Sequence, residues 1–190
     1  MSAAQERLFT YEDMLNWDEE TRMELIHGVP VMMAGASREH QFISKRIFRQ
    51  LDDYLEGKKC EAYYAPFDVR LFETAKDKPR NVDTVVEPDL LIVCDPGKLD
   101  QRGCKGAPDM VVEILSPSSL AHDRIVKYNL YQEAGVKEYW IVSPEEKSVT
   151  VFLLNSAGVF VPHAAYRKNE SAKVNMLEDC CIDLSIVFPD

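Results

Sequence analysis

Two short runs of the chain, Leu90-Leu-Ile-Val-Cys94 and Met110-Val-Val-Glu-Ile-Leu115, are apolar on both alternating faces. Strand side chains alternate between faces, so such runs belong to central strands covered on both sides. Glu138–Val142 is a third strand of this kind. Weaker strand signals lie at Met23–Gly28 and Val29–Met33, joined at His27-Gly28, and at Cys60–Tyr64 and Asp68–Phe72. Ser148–Leu154 and Val159–Ala165 read as a hairpin around Asn155–Gly158. Helical spacing is clearest where His40, Ile43, Ile47, Leu51 and Tyr54 recur at three- and four-residue steps. Ser37 is the N-cap of that helix, which runs to about Glu56 with Gly57 as its C-terminal signal. A second helix is predicted over Leu120–Ala134, closed by Gly135. A Thr10–Asp13 capping box opens a short one reaching about Trp17. Asp95–Pro108 reads as turn-rich, Ala75–Asn81 as an exposed polar loop, and the tail as one last short element.

Hairpins set between two main helices, with no regular βαβ alternation, predict a mixed α/β (α+β) fold. Its expected form is a central mixed sheet flanked by helices, with additional N-terminal and C-terminal hairpins. The 190 residues, 46% of them hydrophobic, suit a single domain over 1–190. No GxGxxG or Walker phosphate loop occurs, which argues against a nucleotide-binding doubly wound fold. No apolar run reaches the roughly 18–20 residues that cross a bilayer, and the polar start does not resemble a secretory signal. A cytoplasmic protein with no membrane partner is expected. Cys60, Cys94, Cys104, Cys180 and Cys181 form no CxxC pair, and are expected to be free thiols that behave as small apolar residues. The net charge of −10 argues against a protein that coats nucleic acid non-specifically. A cleft in which a metal ion and a few basic side chains supply local positive charge is compatible with it.

Candidate chemistry begins with carboxylates on apolar strands. Glu113 shares a face with Val111 and Leu115, where an isolated carboxylate would cost several kcal/mol unless paired, protonated or coordinated. Asp89 heads the other apolar run behind Pro88, which removes a backbone donor at the strand start. Taken alone, Asp89 reads equally as a strand-end turn residue or ion-pair partner. Together the two acids make an oxygen-ligand set for a hard divalent cation. Lys127 sits four residues after Asp123 and four before Tyr131. It is either an inward lysine or half of an exposed Asp123–Lys127 pair contributing roughly 0.3–0.5 kcal/mol. Glu24, on a predicted strand, is either an accessory acid or an edge ion-pair partner. His40, on the inward stripe of its helix, is either a satisfied interior histidine or a substrate contact. Ser116 and Ser118 read as turn residues around Pro117, and Tyr139 and Trp140 as core.

Pro88-Asp89, then Glu113 within Pro-Asp-Met-Val-Val-Glu-Ile-Leu-Ser-Pro-Ser118, then Asp123-Arg-Ile-Val-Lys127, Tyr131 and Glu138-Tyr-Trp-Ile-Val142 resemble the Uma-type bacterial putative restriction endonucleases. That family, once catalogued as a domain of unknown function, is placed in the PD-(D/E)xK nuclease superfamily. The resemblance runs from about Phe9 to Phe188 and includes Tyr11, Glu24-Leu-Ile-His-Gly28 and the helix opening at His40. It implies a restriction-endonuclease-like core and a metal-dependent endonuclease acting on DNA. Asp89 and Glu113 would be metal ligands, the Ile114 carbonyl would complete the shell around Mg2+ or Mn2+, and Lys127 would be the catalytic lysine. Here the chain departs from the superfamily pattern, since the position two residues after the acid is Leu115, and the lysine must come from the next helix.

Glu24, His40 and Asp123 are accessory candidates. Arg38, Lys45, Arg46 and Arg49 on the long helix, with Lys76, Lys78 and Arg80 in the polar loop, are candidate nucleic-acid contacts or ordinary solvated surface. A homodimer would suit a double-strand cutter. The competing readings are a catalytically silent binding or regulatory protein of the same fold, and a phosphoesterase for small molecules.

Overall fold

The runs around Ile92 and Val112 lie side by side, antiparallel, in the middle of a six-stranded sheet. The computed structural model describes residues 7–18, 22–74, 76–117 and 122–189. In chain order they form α1 (Tyr11–Met14), β1 (Met23–Ile26), β2 (Val29–Met32), α2 (Arg38–Leu55), β3 (Glu61–Tyr64), β4 (Val69–Arg70), β5 (Val85–Val86) and β6 (Leu90–Val93). There follow β7 (Leu99–Asp100), β8 (Gly103–Lys105), β9 (Met110–Ile114), α3 (Tyr128–Ala134), β10 (Glu138–Ser143), β11 (Ser148–Leu154), β12 (Phe160–Arg167), β13 (Ser171–Lys173) and β14 (Cys181–Asp183). A wide π-type turn, His122–Lys127, leads into α3. Leu120, the expected start of that helix, lies outside the described residues, as do Ser118 and Ser119.

The central sheet has the order β12-β11-β10-β9-β6-β3, with β9 and β10 parallel and the other pairs antiparallel. This is the mixed α/β architecture expected from the hydrophobic pattern. One face (Leu90, Ile92, Met110, Val112, Ile114, Trp140, Val142) packs on Ile43, Ile47, Leu51 and Leu55 of α2 and on the C-terminal segment. The other (Leu91, Val93, Val111, Leu115, Tyr139, Ile141) packs on Leu130 and Tyr131 of α3 and on Val69 and Val86. Those two valines belong to a second sheet, β2-β1-β5-β4-β8-β7, which the N-terminal hairpin opens. The second face is therefore covered by strands as well as by a helix.

The local signals act as their chemistry requires. Thr10 and Asp13 form the reciprocal capping box of α1, Ser37 Oγ accepts the His40 amide, and His27 and Gly28 both take positive φ in the β1–β2 turn. The turn-rich segment after β6 holds the β7–β8 hairpin. Gly103 explains it: at φ +118°, an added Cβ would stand 2.1 Å from the Asp68 carbonyl oxygen. Only glycine allows β8 to approach β4 this closely.

The cysteine expectation is corrected. Cys60 and Cys94 form a disulfide, because the Glu61–Val93 pairing of β3 with β6 sets the flanking cysteines opposite each other. Thirty-four residues separate them, so no local motif announced the pair. Cys104 and Cys180 are free and buried, and burial pushes both thiols up to about 11. Cys181 is free and exposed.

Two acids in this frame hold structure alone. Glu138 is fully buried, and its oxygens accept the Trp140 indole N–H (2.7 Å), the Asn175 amide (3.0 Å), the Asn175 side-chain amide (3.2 Å) and the Met176 amide (2.8 Å). Asp109, the acid of a second Pro-Asp dipeptide, accepts the Cys94 amide at 2.7 Å and pairs with Lys137 at 2.6 Å. Burial raises the Asp109 pKa, but those two donors outweigh it and leave the carboxyl below its ordinary value of 3.8. Its stabilisation is therefore present above about 3.8 and lost as pH falls through the depressed folded-state value. Asp109→Asn should cost about 1 kcal/mol at pH 7, the exposed Lys137 partner being screened by solvent. The gap from the parent protein should narrow in urea titrations as pH falls below about 3.8; a gap independent of pH would refute this assignment.

Candidate active site

The carboxylates converge where α2, the start of β6, the end of β9 and the turn before α3 meet. The ladder between β6 and β9 ends at Leu90–Val112. Beyond it, the Ile114 amide donates to Asp89 Oδ2 at 2.7 Å, so the Asp89 side chain continues the strand pairing that Pro88 interrupts. The same oxygen lies 3.0 Å from His40 Nε2, one turn into α2. Burial lowers the His40 pKa, but the Asp89 bond and charge, then the Ile114 backbone and Asp123, outweigh it and raise the value.

Glu113 faces Lys127 and Tyr131 and is buried, as its strand pattern demanded. Its Oε1 accepts from Lys127 Nζ at 3.0 Å and from Tyr131 Oη at 2.6 Å. Lys127 therefore points inward, and the reading of an exposed Asp123–Lys127 pair is set aside. Lys127 Nζ also lies 2.8 Å from Glu24 Oε1 and 3.8 Å from Asp123 Oδ1. The wide turn carries Asp123 and Lys127 onto the face that α3 continues with Tyr131, and such turns recur at functional sites. Glu24 is buried in the hairpin, where Oε1 also accepts the Glu87 amide at 3.0 Å. Arg22 in turn pairs with Glu87. The edge ion pair entertained for Glu24 is thus an interior one.

The pKa shifts combine burial with the charges of the neighbouring acids. Glu113 is held well above its ordinary value first by burial and then by Asp123, Asp89 and Glu24, with Lys127 opposing. Burial disfavours the Lys127 ammonium, yet Glu113, Glu24 and Asp123 outweigh it and hold its pKa well above the usual lysine value. Tyr139 is raised well above its ordinary value by burial and then by Glu113, Asp123, Asp89 and Glu24 together, so it stays a neutral donor, its hydroxyl 3.1 Å from the Asp123 carbonyl. Among the described residues, four carboxylates, those of Glu24, Asp89, Glu113 and Asp123, gather near Lys127 and His40.

Among the described residues, no group of three or more histidine, cysteine, aspartate or glutamate side chains could hold a metal by itself. A cation here would rely on Asp89 and Glu113 with a backbone carbonyl such as that of Ile114 and water, a hard-oxygen shell of the kind Mg2+ accepts. The donor set fits that demand, because its excess negative charge is what a divalent ion neutralises.

The basic candidates fall on two separate elements. Lys45 and Arg49 are exposed and Arg46 half-buried on α2. Lys76, Lys78 and Arg80 are exposed between β4 and β5, where Pro79–Asn81 forms a single 3-10 turn. Tyr131 was legible as sharing a helix face with Lys127 and Tyr139 as core, but neither spacing gave a sign of which hydroxyl would meet an acid.

A two-layered core built on a mixed sheet, with acids and a lysine gathered at one end, defines a nuclease-like α/β protein. The family described as "Uma2: Putative restriction endonuclease" matches residues 10–185, and the chain belongs to it. An uncharacterised protein of Synechocystis sp. (strain ATCC 27184 / PCC 6803 / Kazusa) is 29% identical over 150 residues, covering 77% of this chain and 75% of that protein. The crystal structure of a putative nuclease belonging to DUF820 from Anabaena variabilis superposes with a TM-score of 0.71 over 95% of this chain and 97% of its own. At 16% identity that likeness establishes the fold.

Replacing Lys127 with methionine should destabilise the protein by about 3–5 kcal/mol, since buried carboxylates lose their counter-charge. Adding Glu113→Gln to that variant should recover part of the loss. Urea unfolding of the two single variants and the double variant measures the coupling; strictly additive energies would show that the pair does not interact.

Proposed function

We propose that this protein is a divalent-metal-dependent endonuclease that hydrolyses phosphodiester bonds in DNA. The observation that carries the reading is the 3.0 Å contact of Lys127 Nζ with Glu113 Oε1. A lysine from the following helical segment thereby supplies the charge that Leu115 cannot. Membership of a family described as restriction endonucleases supports DNA as substrate.

Asp89, Glu113 and the Ile114 carbonyl would hold Mg2+ or Mn2+. When bound, such an ion lowers the pKa of a coordinated water and polarises the phosphate. The protein's own residues divide the remaining work. His40 and the Ile114 amide fix the Asp89 carboxylate from two sides. Glu24 and Asp123 keep Lys127 protonated, so its ammonium can orient the attacking water and offset the charge that grows on the phosphate. Tyr131 holds Glu113 Oε1 in place. Lys45, Arg46, Arg49, Lys76, Lys78 and Arg80 would meet the backbone phosphates. In this reading the protein acts as a cytoplasmic homodimer with two symmetric sites.

A specific observation favours a second reading, a silent binding protein of the same fold. Lys127 already bridges Glu113 and Glu24, so part of the buried charge is neutralised internally. Plasmid nicking in Mg2+ or Mn2+ separates the two. Asp89→Asn and Glu113→Gln should abolish cleavage while circular dichroism stays that of the parent, and Lys127→Met should lower the rate by about 10²–10³-fold. A parent protein that cuts neither single-stranded nor duplex DNA in either metal, and takes up no Mn2+ in calorimetry, would leave the silent reading standing.

A further inference from the structure

Next to the site, on the α2 side of the sheet, lies a groove of about 360 Å3 that the chemistry of the carboxylates does not use. Its walls are Lys45, Phe48 and Arg49 from α2 and Tyr64 from β3, with Gln41 and Ser44 nearer the helix start. Tyr64 is 57% exposed although it ends a strand of the central sheet. Its ring meets Phe48 edge-to-face at 4.7 Å between centroids, which fixes its plane against the helix. An exposed tyrosine braced by a half-buried phenylalanine offers one free aromatic face.

The position of that face matters. Tyr64 pairs with Leu90 in the register of β3 with β6, and the next amide, Ala65, donates to the Asp89 carbonyl at 3.2 Å. The aromatic platform is thus one residue from a proposed ligand of the metal. His40, which touches Asp89, opens the helix that forms the opposite wall.

Charge runs along the same wall. Between Arg38 and Arg49, α2 carries Arg38, Lys45, Arg46 and Arg49 against the single acid Glu39, in a chain of net charge −10. Lys45 and Arg46 both lie over the Phe42 ring, at 5.4 and 5.1 Å. The acids of this helix, Asp52 and Asp53, come at its far end, where Asp53 makes an exposed pair with Arg49 at 3.6 Å. Asp52 closes the groove there. An aromatic face for a base beside cations for the backbone is the pairing by which proteins hold single-stranded nucleic acid. A duplex would keep its bases stacked on each other and leave the tyrosine without a partner.

We propose that this groove binds an unpaired nucleotide of single-stranded DNA next to the phosphate to be cut, its base stacked on Tyr64 and its phosphates on Lys45 and Arg49. The groove makes Tyr64 a substrate-binding residue that selects unpaired over duplex DNA. The idea rests on the nuclease reading above and deepens it.

The test uses the full-length Glu113→Gln variant in EDTA, so that binding is read without cleavage or metal. Fluorescence anisotropy with a labelled single-stranded oligonucleotide and with the same sequence as a duplex should show tighter binding of the single strand. Adding Tyr64→Ala should weaken single-strand binding by about 5- to 100-fold, as expected for losing one stacked base. Tyr64→Phe should keep it, and Lys45→Gln with Arg49→Gln should flatten its salt dependence. Circular dichroism of each variant checks the fold. Equal binding of Tyr64→Ala and its parent, or a preference for the duplex, would overturn the proposal and leave the nuclease reading intact. Stacking-dependent binding by a parent protein that cleaves nothing would overturn the nuclease reading alone.

Discussion

A buried lysine among carboxylates is the constraint on which the rest of this structure depends. Lys127 and Glu113 are both removed from water, and each buried charge requires a counter-charge nearby, which Glu24 also offers Lys127. Meeting that demand draws together segments far apart in the chain. The N-terminal hairpin contributes Glu24, the central strands Glu113 and Asp89, and the wide turn before α3 contributes Asp123 and Lys127 itself. Each element contributes to the fold by its apolar face and to the site by one or two polar exceptions.

The surplus of acids is what distinguishes this cluster from ordinary interior polarity. Glu138, one strand away and just as buried, has its oxygens satisfied by four N–H donors. Asp109, in the same Pro-Asp context as Asp89, is closed off by an amide and a lysine. Around Glu113 acids outnumber cations among the described residues; burial and then those acids raise Glu113 and Tyr139, and the acids hold Lys127 up against burial. Evenly paired groups describe scaffolding, whereas concentrated negative charge with oxygen donors is what the proposed metal-dependent reading calls for.

The overall acidity of the chain and a nucleic-acid substrate are reconciled by distribution. The basic residues of α2 stand over the wall beside Asp89, and of its acids only Glu39 lies there, Asp52 and Asp53 coming at the far end. A local field of one sign at the site entrance can therefore exist within a chain of opposite net charge. The same helix seals the core with Ile43, Ile47, Leu51 and Leu55, so its binding face and its packing face are fixed together.

Much of this was legible in the order of residues. Alternation and double-sided apolar runs located the central strands, three- and four-residue steps located α2, and Glu113 on an apolar strand required a partner before any partner was known. The motif around Glu-Ile-Leu-Ser-Pro pointed to the family. What tertiary structure alone decided was the identity of partners: that Lys127 turns inward to Glu113 and Glu24, that Asp89 caps the Ile114 amide and meets His40, that Cys60 and Cys94 bond, and that Glu138 is a satisfied strut. The physical reason is that periodicity reports which face a side chain occupies, a property of its own few neighbours. Which group it meets there depends on strand register and on elements tens of residues away, and those are set by the packing of the whole chain.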